Sequence, residues 1–328
     1  MPERWVLVSS VVRSLVLSAF VSLSISMTAA ALVLAPVSLQ QGRGEGQYTI
    51  AVAVDLVVFN VTVTDSKGRH VSGLKASDFH IHEENRLQDI KLFNAEDVPA
   101  SVGLIIDNSG SMSGKRADVA KAAIAFAGAS NSEDEMFVVN FNEKVYLGLP
   151  HSVRFTNDLD QIRSALLRTA PAGLTALYDA LALGIEHLKT GTRDRKALVV
   201  LSDGGDNASS RRLDDVLQIA QQSSATIYTI GIYDDTDADQ NPRVLRKIAE
   251  LTGGRAYFPH SLNDLEQVWR DIAGGIRSQY TIGYHSSNPN RDGRFRKVKI
   301  TANRNGGPGL RVTTREGYFA PTDKSISR

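Results

Sequence analysis

"LIIDNSGSMSGKR", residues 104–116, decides how the chain is read. Leu104, Ile105 and Ile106 form a short, continuous apolar run of the kind a buried strand carries, and Gly110 and Gly114 break it into a tight loop. Asp107, Ser109 and Ser111 stand at alternate positions just past that run. Ligands of open α/β sheets bind beyond the carboxyl ends of the strands, so polar side chains gathered there make a site. All three offer oxygen, the donor that hard cations such as Mg2+ take.

The texture around this stretch is that of an α/β layer. Downstream, "EMFVVNFN", "KALVVLSDG" and "ATIYTIGIY" read as buried strands, with "RAYF" as a short edge strand. Between them lie amphipathic helices: "ADVAKAAIAFAGA", "DLDQIRSALLRT", "ALYDALALGIEHLK", "LDDVLQIAQQSS" and "VLRKIAELTG". "LNDLEQVWRDIAGGIRS" closes the series. Apolar strands alternating with helices predict a doubly wound, mostly parallel sheet covered on both faces, over residues 99–277. The flanks differ. Residues 42–98 hold "VDLVVFNVTVTD", a turn at Gly68, and "FHIHEENRLQDIKLF", which reads as two short strands. Residues 278–320 hold "QYTIGYHS", "RKVKITAN" and "LRVTTREGYF", with a tail at 321–328. Roughly three strands bury a face only marginally on their own. The economical expectation is one small β-sandwich built by both flanks, with the α/β domain inserted into it; two separate β appendages are the alternative.

Bulk composition narrows the function. Among 328 residues, 37 Lys and Arg nearly cancel 36 Asp and Glu, which leaves no global field for nucleic acid or an anionic membrane. There is no cysteine, which excludes disulfides, thiolate metal sites and thiol nucleophiles. At the N-terminus, Arg4 and Arg13 precede a run without charge from Ser14 to Gln41. Residues 1–41 therefore read as a signal peptide, with Ala29-Ala30-Ala31 offering cleavage, or as an uncleaved membrane anchor. Either predicts export, to periplasm, cell envelope or beyond. Any membrane contact runs through that anchor.

Two further residues belong with the opening cluster. Thr175 sits in the glycine loop "PAGLTALYD" at a helix start, and Asp203 ends the strand of "ALVVLSDGGDN". A doubly wound sheet brings such strand-end loops to one edge. Taken singly, each segment is better explained by turn or helix-cap chemistry. Together, Asp107, Ser109, Ser111, Thr175 and Asp203 resemble the metal-ion-dependent adhesion site of a von Willebrand factor type A domain. The resemblance spans roughly residues 100–277. The flanks, "VTDSKGRHVSGLKASDF" before and "SQYTIGYHSSN" with "REGYF" after, resemble an exported group of such proteins abundant in acidobacteria.

The resemblance implies that Ser109 and Ser111 bind the ion directly. It implies that Asp107 and Asp203 act directly or through water, and that Thr175 joins when ligand arrives. The implied ion is Mg2+, with Mn2+ or Ca2+ as alternatives, and the implied partner is a protein offering an acidic side chain. It also implies movement of the final helix, residues 262–277, on ligand capture. Three function classes follow: a noncatalytic adhesion module, a metal-dependent hydrolase, or an envelope scaffold with a vestigial site. Hydrolysis needs a general base, and Asp206 is the only spare carboxylate close in sequence.

Other signals are weaker. "SGSMSGKR" fails as a phosphate loop, because Arg116 stands where Ser or Thr should be. "DDTDADQN" from Asp234 lacks the glycine and closing glutamate of a calcium loop and reads as a solvated acidic loop. His80 and His82 share a strand face but have no third ligand for zinc. Arg296, Lys297 and Lys299 read as an edge or solvent face.

Overall fold

The computed structural model describes residues 55–233, 240–304 and 309–322. The leader at 1–41, the loop from Asp234 and most of the tail lie outside them. Among the described residues no helix is long and apolar enough to cross a membrane.

The chain first lays down β1 (Leu56–Thr64), β2 (Phe79–Glu83), β3 (Arg86–Gln88) and β4 (Ile90–Asn94). Strict alternation in β1 sends Val57, Phe59, Val61 and Val63 inward. Glu84 and Asn85, both at positive φ, make the tight turn between β2 and β3. The expected pair of strands in this stretch is in fact three. The chain changes sheet at Asp89, so that β3 pairs with β2 whereas β4 joins the sheet of β1.

The α/β layer follows with β5 (Ala100–Asp107), α1 (Arg116–Ala129), β6 (Glu135–Phe141), β7 (Val145–Leu147), α2 (Leu159–Leu167) and α3 (Leu177–Leu188). It continues with β8 (Arg195–Ser202), α4 (Leu213–Gln222), β9 (Thr226–Gly231), α5 (Pro242–Leu251), β10 (Ala256–Tyr257) and α6 (Leu265–Arg277). The sheet order is β10-β9-β8-β5-β6-β7, parallel except for the short antiparallel edge strand β7. All eight residues of β5 are buried, as a central strand covered on both faces requires. Helix α1 packs against α6 through Phe126 and Trp269, whose ring centroids lie 4.9 Å apart. Gly103 leaves room for Leu198 and Phe137, which a Cβ would meet at 2.4 Å.

The chain then returns through β11 (Tyr280–His285), β12 (Phe295–Ala302), β13 (Arg311–Thr313) and β14 (Gly317–Phe319). Two four-stranded antiparallel sheets result, β13-β1-β11-β4 and β14-β12-β2-β3, each mixing strands from both flanks. Val61, Val63, Ile282, Val298 and Ile300 share their single core. The stretch "LRVTTREGYF" is two strands in different sheets, not one. Its polar middle crosses between them, with Thr314 donating to the Asn60 carbonyl at 2.8 Å. Where the α/β layer is inserted, Asn94 of β4 pairs directly with Thr281 of β11.

One surface assignment is overturned. Arg296 is 4% exposed, on a central strand, and its guanidinium meets Glu83 at 3.3 Å inside the sandwich. Strand alternation explains it: Arg296 shares the inward face of Val298 and Ile300, while Lys297 and Lys299 point out.

Candidate metal centre

Strand β5 ends in Asp107, only 2% exposed. Its carboxylate folds back on the chain, Oδ1 accepting from the Ser109 N–H at 2.8 Å. Oδ2 accepts from the Ser202 hydroxyl at 2.6 Å, across the β5–β8 pairing. Ser109 and Ser111 bring their hydroxyls within 3.1 Å of each other. Ser111 in turn donates to Asp203 Oδ2 at 2.8 Å, while Asp203 Oδ1 accepts from the Gly205 N–H at 2.9 Å. The chain turns sharply after Asp203 through Gly204, whose φ is +83° and whose missing Cβ would strike the Asn241 carbonyl. Asp107, Ser109, Ser111 and Asp203 are therefore linked by hydrogen bonds at the carboxyl end of the parallel sheet.

Thr175 is placed by the backbone. Ala172 N–H donates to the Asn108 carbonyl at 2.9 Å and Gly110 N–H to that of Gly173 at 3.1 Å, which ties its loop to the serine loop. The Thr175 N–H donates to Asn207 Oδ1 at 2.8 Å, and its carbonyl accepts from the N–H groups of Asn207 and Ala208. All three segments thus meet. The Thr175 side chain, however, makes no hydrogen bond to another described residue and is not part of the Asp107–Asp203 chain of contacts.

Burial pushes Asp107 up to about 6, and the neighbouring charge of Asp203 adds to the rise, against the hydrogen bonds from Ser109 and Ser202. A cation would reverse that penalty. Among the described residues no three His, Cys, Asp or Glu gather to hold a metal. The donors here are instead two carboxylates and neutral hydroxyls, a set suited to a hard ion that keeps some of its water.

Sequence patterns do not reveal the supporting residues. Asn108, the unassigned position inside D-x-S-x-S, bonds Asn140 Oδ1 at 3.0 Å, and Asn140 Nδ2 reaches the Ala165 carbonyl at 2.8 Å. Polar residues in the apolar strand ends "VVNF" and "VVLS" are the only signals for Asn140 and Ser202. Glu143, after β6, lies against Gly173, where a Cβ would collide with its carboxylate. Asp206, the candidate base for hydrolysis, accepts from the Tyr178 N–H at 3.1 Å and the Ser209 hydroxyl at 2.5 Å and so caps α3.

Residues 102–205, from within β5 to the loop after Asp203, match the von Willebrand factor type A domain family. The α/β layer carries a von Willebrand factor type A domain. An uncharacterized protein of Synechocystis is 26% identical over 187 residues, 53% of this chain and 41% of that one. The match therefore spans under half of that relative's length. Among solved structures, a von Willebrand factor type A protein of Catenulispora acidiphila aligns with a TM-score of 0.50 at 16% identity. That alignment covers 83% of this chain and 75% of that one. The von Willebrand factor domain of a type V pilus tip protein from Porphyromonas gingivalis gives a TM-score of 0.46 at 16% identity. It covers 56% of this chain and 96% of that domain. At such identities the likeness is one of fold.

Proposed function

We propose that the chain is an exported, noncatalytic binding protein whose von Willebrand factor domain grips a protein partner through a divalent cation and a partner carboxylate. The observation that carries this reading is the run of contacts from Asp107 through Ser109 and Ser111 to Asp203. It is an oxygen-only cluster on a buried strand end. Ser109 and Ser111 would hold the ion through their hydroxyls, Asp107 and Asp203 directly or through water, and Thr175 would join from the third loop. A bound Mg2+ or Mn2+ supplies an electrophilic centre that a carboxylate from outside can complete. Among the described residues the hydrogen-bonded cluster holds two carboxylates, whose charge just balances a divalent ion. An acidic partner group is therefore not repelled by surplus negative charge.

The capping role of Asp206 supports binding over hydrolysis, because it commits the carboxylate that water activation would need. Metal binding is tested by calorimetry with Mg2+ and Mn2+ on the wild type, Asp107→Ala and Asp203→Ala. Binding should be lost in both variants while their circular dichroism stays that of the wild type. Partner binding is tested by capture from envelope extract with Mg2+ or with chelator. Equal metal response in wild type and variants, or capture indifferent to chelator, overturns the proposal.

A further inference from the structure

At the amino edge of the parallel sheet, opposite the metal centre, a cleft of about 590 Å3 separates the α/β layer from the β1–β11–β4 face of the sandwich. Three arginines line it: Arg195 at the start of β8, Arg193 in the loop just before it, and Arg315 between β13 and β14. Asp194 is the one acidic residue of the lining, and it is exposed. Among the described residues no carboxylate lies within ion-pair distance of any of the three guanidiniums.

Their hydrogen bonds go to neutral acceptors. Arg195, 2% exposed, donates to the carbonyls of Ile276 at 2.8 Å and Gln279 at 3.0 Å, with that of Glu96 at 3.5 Å. Arg315 donates to the Val58 carbonyl at 2.8 Å and the Ser223 carbonyl at 3.4 Å, and lies over the Phe59 ring. Among the described residues the Arg193 side chain makes no hydrogen bond, and Nε of both Arg193 and Arg195 finds no acceptor. Asp97 and Asp134 favour the Arg195 charge from a distance, but each is engaged elsewhere. Asp97 binds Arg277 at 2.7 Å, and Asp134 accepts from the Ala100 and Asn131 N–H groups. Buried charge ordinarily comes with a counter-charge. Here three cations share one opening, and no described residue supplies a counter-charge at ion-pair distance.

We infer that this cleft is a binding site for a small organic anion, a carboxylate or a phosphate ester, with its acid group between Arg193, Arg195 and Arg315. Guanidiniums match both acid groups through paired N–H donors. The volume falls within the range of small-molecule sites and exceeds that of a bare inorganic ion. Val58, Leu92 and Pro99 offer apolar walls for the ligand's body, and Asn60 and Asn94 offer amides.

The test is calorimetry on the full chain with inorganic phosphate, glycerol 3-phosphate and succinate, against chloride at matched ionic strength. At least one of the three anions should bind, and the arm that binds tells phosphate from carboxylate recognition. Arg193→Gln, which removes no hydrogen bond, should weaken binding at least tenfold. Asn94→Asp keeps the oxygen that accepts from the Glu96 N–H at 2.7 Å, so it should fold. By placing a negative charge on the facing wall it should likewise weaken binding at least tenfold. Asp107→Ala should leave anion binding unchanged, which separates this site from the metal reading. No binding beyond the chloride control, or equal binding in wild type, Arg193→Gln and Asn94→Asp, overturns the inference.

Discussion

Asp107 shows at the scale of one residue how a buried carboxylate opposes stability. Its carboxyl has a usual value near 3.8 and is held at about 6 in the fold by burial. Below pH 4 it is protonated in folded and unfolded chains alike, and nothing is lost. Between pH 4 and 6 the folded chain keeps a proton that the unfolded chain releases, so stability falls as pH rises through that window. By pH 7 the loss approaches about 3 kcal/mol. Asp107→Asn removes the ionisation while keeping an acceptor for Ser109 or Ser202. Without metal at pH 7 the variant should therefore melt above the wild type, and the difference should vanish below pH 4. Adding Mg2+ should stabilise the wild type alone. Melting curves from pH 3 to 7.5 with chelator and with Mg2+ check both; a variant less stable than the wild type at pH 7 in chelator would contradict the argument. Asp107, Ser109, Ser111, Thr175 and Asp203 stand out in the sequence as polar positions just past apolar strands or at a helix start, and the fold brings their three segments together. Ser202 and Asn140 do not, since their roles depend on which strands lie side by side.

Helix α6 and strand β12 show which elements can be read from pattern alone. The helix is predicted from its apolar spacing, with Gly274 and Gly275 expected to weaken its end. Both glycines are helical in the structure, and they face His70 of the β1–β2 connection. A Cβ on Gly274 would find His70 at 3.7 Å, and one on Gly275 would find it at 3.4 Å, which is ordinary contact. Gly274→Ala and Gly275→Ala should each therefore stabilise the chain by about 0.5–1 kcal/mol in urea unfolding. The end of α6 is also tied to its surroundings: His70 Nε2 lies 3.3 Å from the Asp271 carbonyl, and Arg277 bonds Asp97. Any displacement of α6 on ligand capture has to carry or break these ties. Strand β12 is legible as a strand but not in its placement. A basic run suggests solvent, yet Arg296 turns inward because Glu83 on β2 waits there. Glu83 also accepts from Tyr284 at 2.8 Å and Ser286 at 2.7 Å. No local pattern announces a partner 213 residues away. Glu83→Ala should cost about 3–5 kcal/mol by leaving the Arg296 charge unpaired, and Glu83→Leu with Arg296→Met should recover much of it. Equilibrium unfolding of the single and double variants decides this.

Across the whole molecule, the two flanks are one sandwich whose chain is interrupted by 185 intervening residues between Asn94 and the return at Tyr280, counting 95 through 279. That reading was available from the sequence because each flank is too small to bury a face alone, but strand order was not: β1 pairs with β11 and β13, both from beyond the insertion. Long-range antiparallel pairing carries no short-range signal, whereas an α/β layer announces itself through alternating elements. The insertion begins and ends on neighbouring strands, since Asn94 and Thr281 are direct antiparallel partners. Their separation is that of two residues flanking a hairpin turn. Residues 95–280 should therefore be replaceable by a short turn such as Asn-Gly with one flanking residue on each side, turning β4 and β11 into a hairpin. The shortened chain keeps Phe59, Ile81, Ile282, Val298 and the buried Glu83–Arg296 pair, all of which lie in the sandwich. It loses Tyr280, whose hydroxyl donates to the Val71 carbonyl at 2.9 Å and whose ring packs on Phe79, so the turn should be built to retain a tyrosine at that position. The expected product has a β-type circular dichroism spectrum and one cooperative unfolding transition. An unfolded product would mean that the sandwich depends on the α/β layer, and the sandwich would then not count as a folding unit of its own.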